Sequence, residues 1–379
     1  MVLYPTIHLY NAVPFGLNIR KVGVKPTPEK PRRLICSYAG RGRLSTAIAA
    51  FSLLGLVAAS AQDKSFELKL SHWVPPSHPL QKALEDWGAS VEKASGGTIK
   101  SKVYPSQQLG KAFDHYDMAR DGIADLTYIS PGYQPGRFPI IDAGNLPFMM
   151  SNAKSGSQAL DAWYRKYADK EMKDVKFCLA FAHDPGTFHS KTKKIMVPGD
   201  IKGMKIRPAH ATVATMVTQL GGTNVQSSAP EVRDILEKGV ADAVTFPWGS
   251  IPLFGIDKVT KYHMDVPLYA TSFTFVFNKD KYNQMSAAQK KVIDDHCTNQ
   301  WALRVASDWA DFEHSGMAKL KADPAHEVYS ITPAQLAEWR KAAELVVVVW
   351  GDAVKKGGGD PDTILKELKA ELSKANAAY

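Results

Sequence analysis

Two stretches of the chain are written to one plan. The first runs from GGTIKSKVYP to MARDGIADLTYISPG across 96–132, and the second is GGTNVQSSAPEVRDILEKGVADAVTFPWG across 221–249. Each opens on Gly-Gly-Thr, continues as a strand and a helix, turns at Gly-[Ile/Val]-Ala-Asp, and ends in a strand closed by proline. In the second copy Pro230 suits a first helical turn, Val232, Ile235 and Leu236 form its buried face, and Gly239 caps it. Chance produces a Gly-[Ile/Val]-Ala-Asp match. It does not readily produce the same order of elements around it, so the chain is expected to build two α/β lobes of similar design.

The flanking segments fit that expectation. FELKL (66–70) alternates as a strand does, and LQKALEDWGASVEKAS (80–95) sets Leu80, Leu84, Trp87 and Val91 on one helical face before Gly96-Gly97 stops it. A helix is predicted from about Phe113 to Arg120. The C-terminal third is helical. Ser286 to Gln289 is a capping box opening a long helix whose stripe of Ile293, Cys297, Trp301, Val305, Trp309 and Phe312 belongs to the core. Thr332 to Gln335 opens another, KKGGGDPD (355–362) is a linker, and a last helix follows Asp362 and Thr363.

A net charge of +9 over 379 residues, with 45% hydrophobic and 22% charged content, invites a nucleic-acid reading. The location of the charge removes it. Residues 1–61 hold eight Lys and Arg against the single acid Glu29, leaving about +2 spread over the rest. Arg41-Gly-Arg43, the apolar run 44–61 and the ending Ala59-Ser60-Ala61 make a secretory signal peptide cleaved after Ala61, behind an unusually long N-terminal extension. Export to the periplasm makes the cysteines interpretable. Cys36 leaves with the leader. Cys178 in the strand-like KFCLAF and Cys297 on a helix are expected to be buried free thiols, with a disulfide open to them in an oxidising compartment.

Catalytic motifs are missing. There is no G-x-S-x-G, no P-loop and no HExxH, and the histidines at 72, 78, 115, 183, 189, 210 and 263 are scattered as capping or packing residues would be. An exported two-lobed protein without a catalytic constellation is suited to holding a small molecule between its lobes. GDIKGMKIRPAH (199–210) supplies a candidate anchor. Met204 and Ile206 alternate inward as a short strand, and Pro208 holds Arg207 in extended backbone at its end. A permanently charged guanidinium on stiff backbone matches a carboxylate through two parallel hydrogen bonds.

Several motifs together carry a family resemblance: LKLSHWVPPSHP (68–79), YPSQQLG (104–110), DGIADLTYI (121–129), NLPF (145–148), DIKGMKIRP (200–208), GVADAVTFP (239–247) and FVFNKDKYNQMSAAQKKVI (275–293). In this order the chain resembles the TRAP-transporter solute-binding proteins of DctP type over nearly all of 66–320. The C-terminal helices match only in general character. The resemblance implies a periplasmic receptor rather than an enzyme, with a cleft between two lobes and a hinge crossed by strands and a long helix. Lobe I would comprise 66–185 plus 272–310, and lobe II 186–271 plus 311–379. The receptor would close on an organic acid and deliver it to small and large membrane permease subunits driven by a sodium gradient, touching the membrane only through that docking. Arg207 matches the family arginine that forks onto the ligand carboxylate.

The departures from the family pattern concern the ligand. Positions that are polar in sugar-acid binders hold Trp73, Ser130, Phe188 (or His189 if the register falls one residue later) and Phe246. The keto-acid branch places a Glu-Trp pair beside a metal where this chain has Thr245-Phe246, so no metal or other cofactor is expected. An apolar box with one fixed arginine suits a monocarboxylate with an apolar or aromatic body. Trp248 and Phe273 are further candidates for the box, and His72, Tyr133 and His189 for polar contacts. Two alternatives stay open at this point: a periplasmic enzyme in which a histidine such as His189 acts on a bound acid, and a receptor serving a sensor kinase.

Overall fold

The structure is a computed structural model that describes residues 63–379. The leader and its cleavage point after Ala61 lie outside the described residues. Eleven strands follow in chain order: β1 Phe66–Ser71, β2 Ile99–Tyr104, β3 Leu126–Ile129, β4 Lys176–Ala182, β5 Thr187–Ser190, β6 Lys205–Arg207, β7 Thr223–Asn224, β8 Ala243–Phe246, β9 Tyr262–Met264, β10 Ser272–Phe277 and β11 Glu327–Tyr329. They form two sheets, β2-β1-β3-β10-β4 and β11-β9-β5-β8-β6-β7.

The repeated sequence plan has a repeated topology. β2, β1 and β3 run parallel, with antiparallel β10 beside β3. β7, β6 and β8 run parallel, with antiparallel β5 beside β8. Helices Pro79–Ala94 and Ala211–Gln219 follow the central strands β1 and β6, and helices His115–Arg120 and Val232–Glu237 lead into β3 and β8. The Gly-[Ile/Val]-Ala-Asp motif does the same work in both lobes. Gly122 and Gly239 turn through φ of 73° and 68°, a region that only glycine enters at no steric cost. The aspartate three residues later then clamps the central strand: Asp125 Oδ2 accepts from Lys69 N at 2.8 Å, and Asp242 Oδ2 from Lys205 N at 2.9 Å.

Three connections pass between the sheets: residues 183–186, residues 265–271 and the long helix Asn299–Ala322. The first two pair with each other, Gly186 N donating to Tyr269 O at 2.7 Å and Leu268 N to Gly186 O at 3.0 Å. The architecture is therefore the mixed α/β, two-lobed one expected from the sequence.

Three expectations need correction. The helix opened by Ser286 is not continuous. It ends at His296, Cys297 and Thr298 interrupt it, and a second helix starts at Asn299. That break turns the Cys297 side chain toward β4, where it forms a disulfide with Cys178 (Cα–Cα 4.5 Å) in place of two free thiols. The last segment also leaves the second lobe to which 311–379 was assigned. Helix Pro361–Lys374 buries Ile364, Leu368 and Leu372 and packs on helix Ala153–Tyr164 beside the first sheet, with Trp163 Nε1 donating to Ile364 O at 3.2 Å. The apolar stripe of the helix finds its partner there, and the Gly-rich linker allows the reversal.

The disulfide spans 119 residues, and loops of this size restrict the unfolded chain strongly. Reduction, or Cys178→Ala with Cys297→Ala, is expected to lower unfolding free energy by about 2–5 kcal/mol. Urea denaturation with and without reductant measures it, and an unchanged midpoint would contradict the pairing.

Candidate ligand-binding site

Parallel strands end at a common edge, and α/β folds collect ligands there. In both lobes the carboxyl ends of the central strand and of the strand after the repeat motif meet across one cavity. From the first lobe come Trp73 and Val74 after β1, and Ser130 after β3. From the second come Arg207 at the end of β6, and Phe246 and Pro247 at the end of β8. The connections between the sheets add His183, Tyr269, Thr271 and Trp309. The centre of a water-sized sphere has about 40 Å³ in which to move, so the cavity suits a small molecule.

Arg207 dominates the electrostatics. It is only 2% exposed, yet no carboxylate among the described residues forms a salt bridge with it. Nε donates to Ser227 O at 3.0 Å and Nη2 to Tyr133 OH at 3.1 Å, and the Phe246 ring lies 5.2 Å from the guanidinium carbon. Both hydrogens on Nη1 and one on Nη2 are left uncommitted. Tyr133 belongs to the first lobe, and its hydroxyl also accepts from Ala229 N at 2.9 Å, so a single oxygen ties one lobe to two points of the other. Gly132 lets the backbone come this close, because a Cβ there would stand 2.6 Å from His210 Cβ.

The walls are aromatic. Trp73 stacks on Tyr128 at 4.8 Å and lies 5.7 Å from Tyr133 and 6.5 Å from Phe273, which in turn is 5.2 Å from Trp309. Trp73 Nε1, Ser130 Oγ and Tyr269 OH are buried without hydrogen-bond partners. His183 is fully engaged. Its Nδ1–H donates to Asp184 O at 2.6 Å and its Nε2 accepts from Thr271 Oγ1 at 2.8 Å, while burial pushes its pKa down to about 4. Trp309 Nε1 donates to Glu313 Oε1 at 2.6 Å, and the same carboxylate accepts from Gly249 N, Ser250 N and Ser250 Oγ. Burial lifts the Glu313 pKa to about 7.

Of the ten sequence candidates, Trp73, Ser130, Tyr133, Arg207, Phe246 and Phe273 line this cavity, and Phe188, His189, His72 and Trp248 do not. β5 hydrogen-bonds along β8, so its side chains face the layers above and below the sheet, away from the strand ends. Phe188 packs 5.5 Å from Trp339. His189 donates from Nε2 to Phe246 O at 3.0 Å and accepts at Nδ1 from His263 at 2.8 Å. His72 Nε2 is held by Gln81 Oε1 at 2.7 Å, and Trp248 lies edge-on to His189 at 5.1 Å. Sequence reasoning missed His78, His183, Tyr269, Thr271 and Trp309. Trp309 was hidden inside a helical stripe that reads as core, and the others stand where spacing carries no signal.

Comparison with known proteins agrees with this geometry. The family model for bacterial extracellular solute-binding proteins, family 7 (DctP) matches residues 70–350. The chain belongs to that family. A TRAP solute-binding protein from an unidentified marine microbe, described as specific for aromatic acid ligands and holding meta-hydroxyphenylacetate, is 34% identical. Its TM-score is 0.77, and the match covers 82% of this chain and 99% of that one. A TRAP solute-binding protein from Rhodoferax ferrireducens with copurified benzoate is 30% identical over the same shares, also with a TM-score of 0.77. A curated solute-binding protein of Albidiferax ferrireducens is 27% identical over 51% of this chain, which spans 59% of that relative's length. The family is one of receptors rather than enzymes, and no described helix is long and apolar enough to cross a membrane.

Tyr133→Phe would leave Ala229 N–H and one Arg207 N–H unsatisfied in a buried site, at about 1–3 kcal/mol. Ligand affinity is expected to fall roughly tenfold, mostly through faster dissociation, and stopped-flow fluorescence of the cavity tryptophans would read it.

Proposed function

We propose that this chain is the extracytoplasmic receptor of a TRAP-type secondary transporter that captures a small aromatic monocarboxylate and delivers it to membrane permease subunits. The chain reaches the periplasm behind the leader ending at Ala61. Lobe closure brings the two sets of strand ends together on the ligand.

The observation that carries this reading is the buried, acid-free guanidinium of Arg207. A charge taken out of water needs a counter-charge in the same place, and a ligand carboxylate supplies it through the hydrogens on Nη1 and Nη2. The aromatic walls favour a planar apolar body by burial and by offset stacking. A polyhydroxylated acid would lose water around hydroxyls that Phe246, Phe273 and Trp309 cannot replace. Benzoate and meta-hydroxyphenylacetate in the solved relatives support the same ligand class. Thr245-Phe246 offers no carboxylate to a cation, and no group of three or more metal-binding side chains occurs among the described residues.

Isothermal titration against benzoate, hydroxybenzoates, pyruvate and galacturonate tests the reading. The aromatic acids are expected to bind most tightly, and Arg207→Ala to weaken them by roughly two to four decades while the far-ultraviolet spectrum stays native. Tighter binding of galacturonate, or wild-type affinity in Arg207→Ala, would overturn it.

A further inference from the structure

The cavity that holds Arg207 is also lined by His78, the N-cap of helix Pro79–Ala94. A run of ring contacts connects the two. Tyr133, which holds the guanidinium, leads to Trp73, then Phe273, then Trp309, and His78 packs edge-on against Trp309 at 4.6 Å. Capping uses one nitrogen: His78 Nδ1 accepts from Leu80 N at 3.1 Å. A neutral imidazole with Nδ1 as acceptor carries its proton on Nε2. Burial, with His72 and His183 nearby, pushes the His78 pKa down to about 3, so the ring stays neutral and this tautomer persists at physiological pH. Among the described residues Nε2 has no hydrogen-bond partner.

Asn, Asp or Ser would cap this helix as well as histidine does. What histidine adds is a second nitrogen, with its hydrogen, on a side chain that lines the cavity. Trp73 adds another unpartnered N–H. The cavity thus combines apolar ring faces with N–H donors, and it is lined by no carboxylate.

We propose that His78 is a specificity-determining residue that donates from Nε2 to an oxygen substituent on the ligand ring, remote from the carboxylate. The preferred ligands are then ring-hydroxylated aromatic monocarboxylates rather than the unsubstituted acid. This rests on the aromatic-acid reading above. A phenolic oxygen accepts from Nε2–H, whereas benzoate leaves that N–H buried and unsatisfied on closure.

The test compares benzoate with 3- and 4-hydroxybenzoate by isothermal titration in wild type and in His78→Asn, which keeps a capping oxygen and removes the distal N–H. Wild type is expected to favour one hydroxybenzoate over benzoate by roughly 3–10-fold. His78→Asn is expected to bring that ratio near one. A second measurement does not depend on the variant folding: the Nε2–H resonance of His78 in wild type should move downfield with the hydroxybenzoate and not with benzoate. Equal wild-type affinities, an unchanged ratio in His78→Asn, or the same resonance with both ligands would overturn the proposal. All three results leave the aromatic-acid reading intact, whereas failure of every aromatic acid to bind wild type would remove that reading itself.

Discussion

A guanidinium sealed in an apolar cavity without a carboxylate is a demand for an anion. Arg207 makes that demand, and the surrounding contacts shape how it is met. The Ser227 carbonyl and the Tyr133 hydroxyl take two of its hydrogens and fix the plane of the fork, which leaves three hydrogens on Nη1 and Nη2. Neither partner carries charge. On the proposed reading a ligand carboxylate would offset the electrostatic cost of burying the arginine, which would make affinity and orientation two results of one constraint.

That constraint is met by duplication. β1 and β6 occupy equivalent central places, each is held by the aspartate of the repeat motif, and each leads to a cavity-lining residue, Trp73 in one lobe and Arg207 in the other. β3 and β8 repeat the arrangement with Ser130 and Phe246. Each lobe also caps the helix after its central strand with a histidine, His78 and His210. The halves have diverged in chemistry while keeping position: one carries the charge, the other an aromatic wall and neutral donors. A cavity built from both is complete only when the lobes meet.

Much of this was legible in the sequence, for physical reasons. The repeat shows as matching order because strand, helix and turn each have their own residue chemistry. Arg207 stands out because Pro208 excludes a continuing strand. Trp73, Ser130 and Phe246 came from the family resemblance, whose polar positions they occupy, and they stand at strand ends. Errors arose where the deciding contact is distant in sequence. Phe188 and His189 lie on a strand whose period of two sends both away from the cavity, whichever register is chosen. The Cys178–Cys297 pair depends on a helix break at 297–298 that helical spacing alone conceals. Trp309 reads as core because one side of it is core, packed against Phe181 and Tyr128, while another side lines the cavity.

Trp309 also connects recognition to closure. One helical turn beyond it, Glu313 accepts from the Trp309 indole and from the backbone of Gly249 and Ser250, the loop that follows β8 in the second lobe. Close packing reinforces this anchor. A Cβ at Gly316 would stand 2.2 Å from Gly249 Cα, so the long helix and the loop touch backbone to backbone. The ring in the cavity wall and the contact that binds the crossing helix to the second lobe thus share one carboxylate. Relative movement of the lobes has to pass through the same few residues that shape the aromatic wall. On the proposed reading, sensing the ligand and closing on it would draw on a single set of contacts, arranged around an arginine that has no acid partner among the described residues.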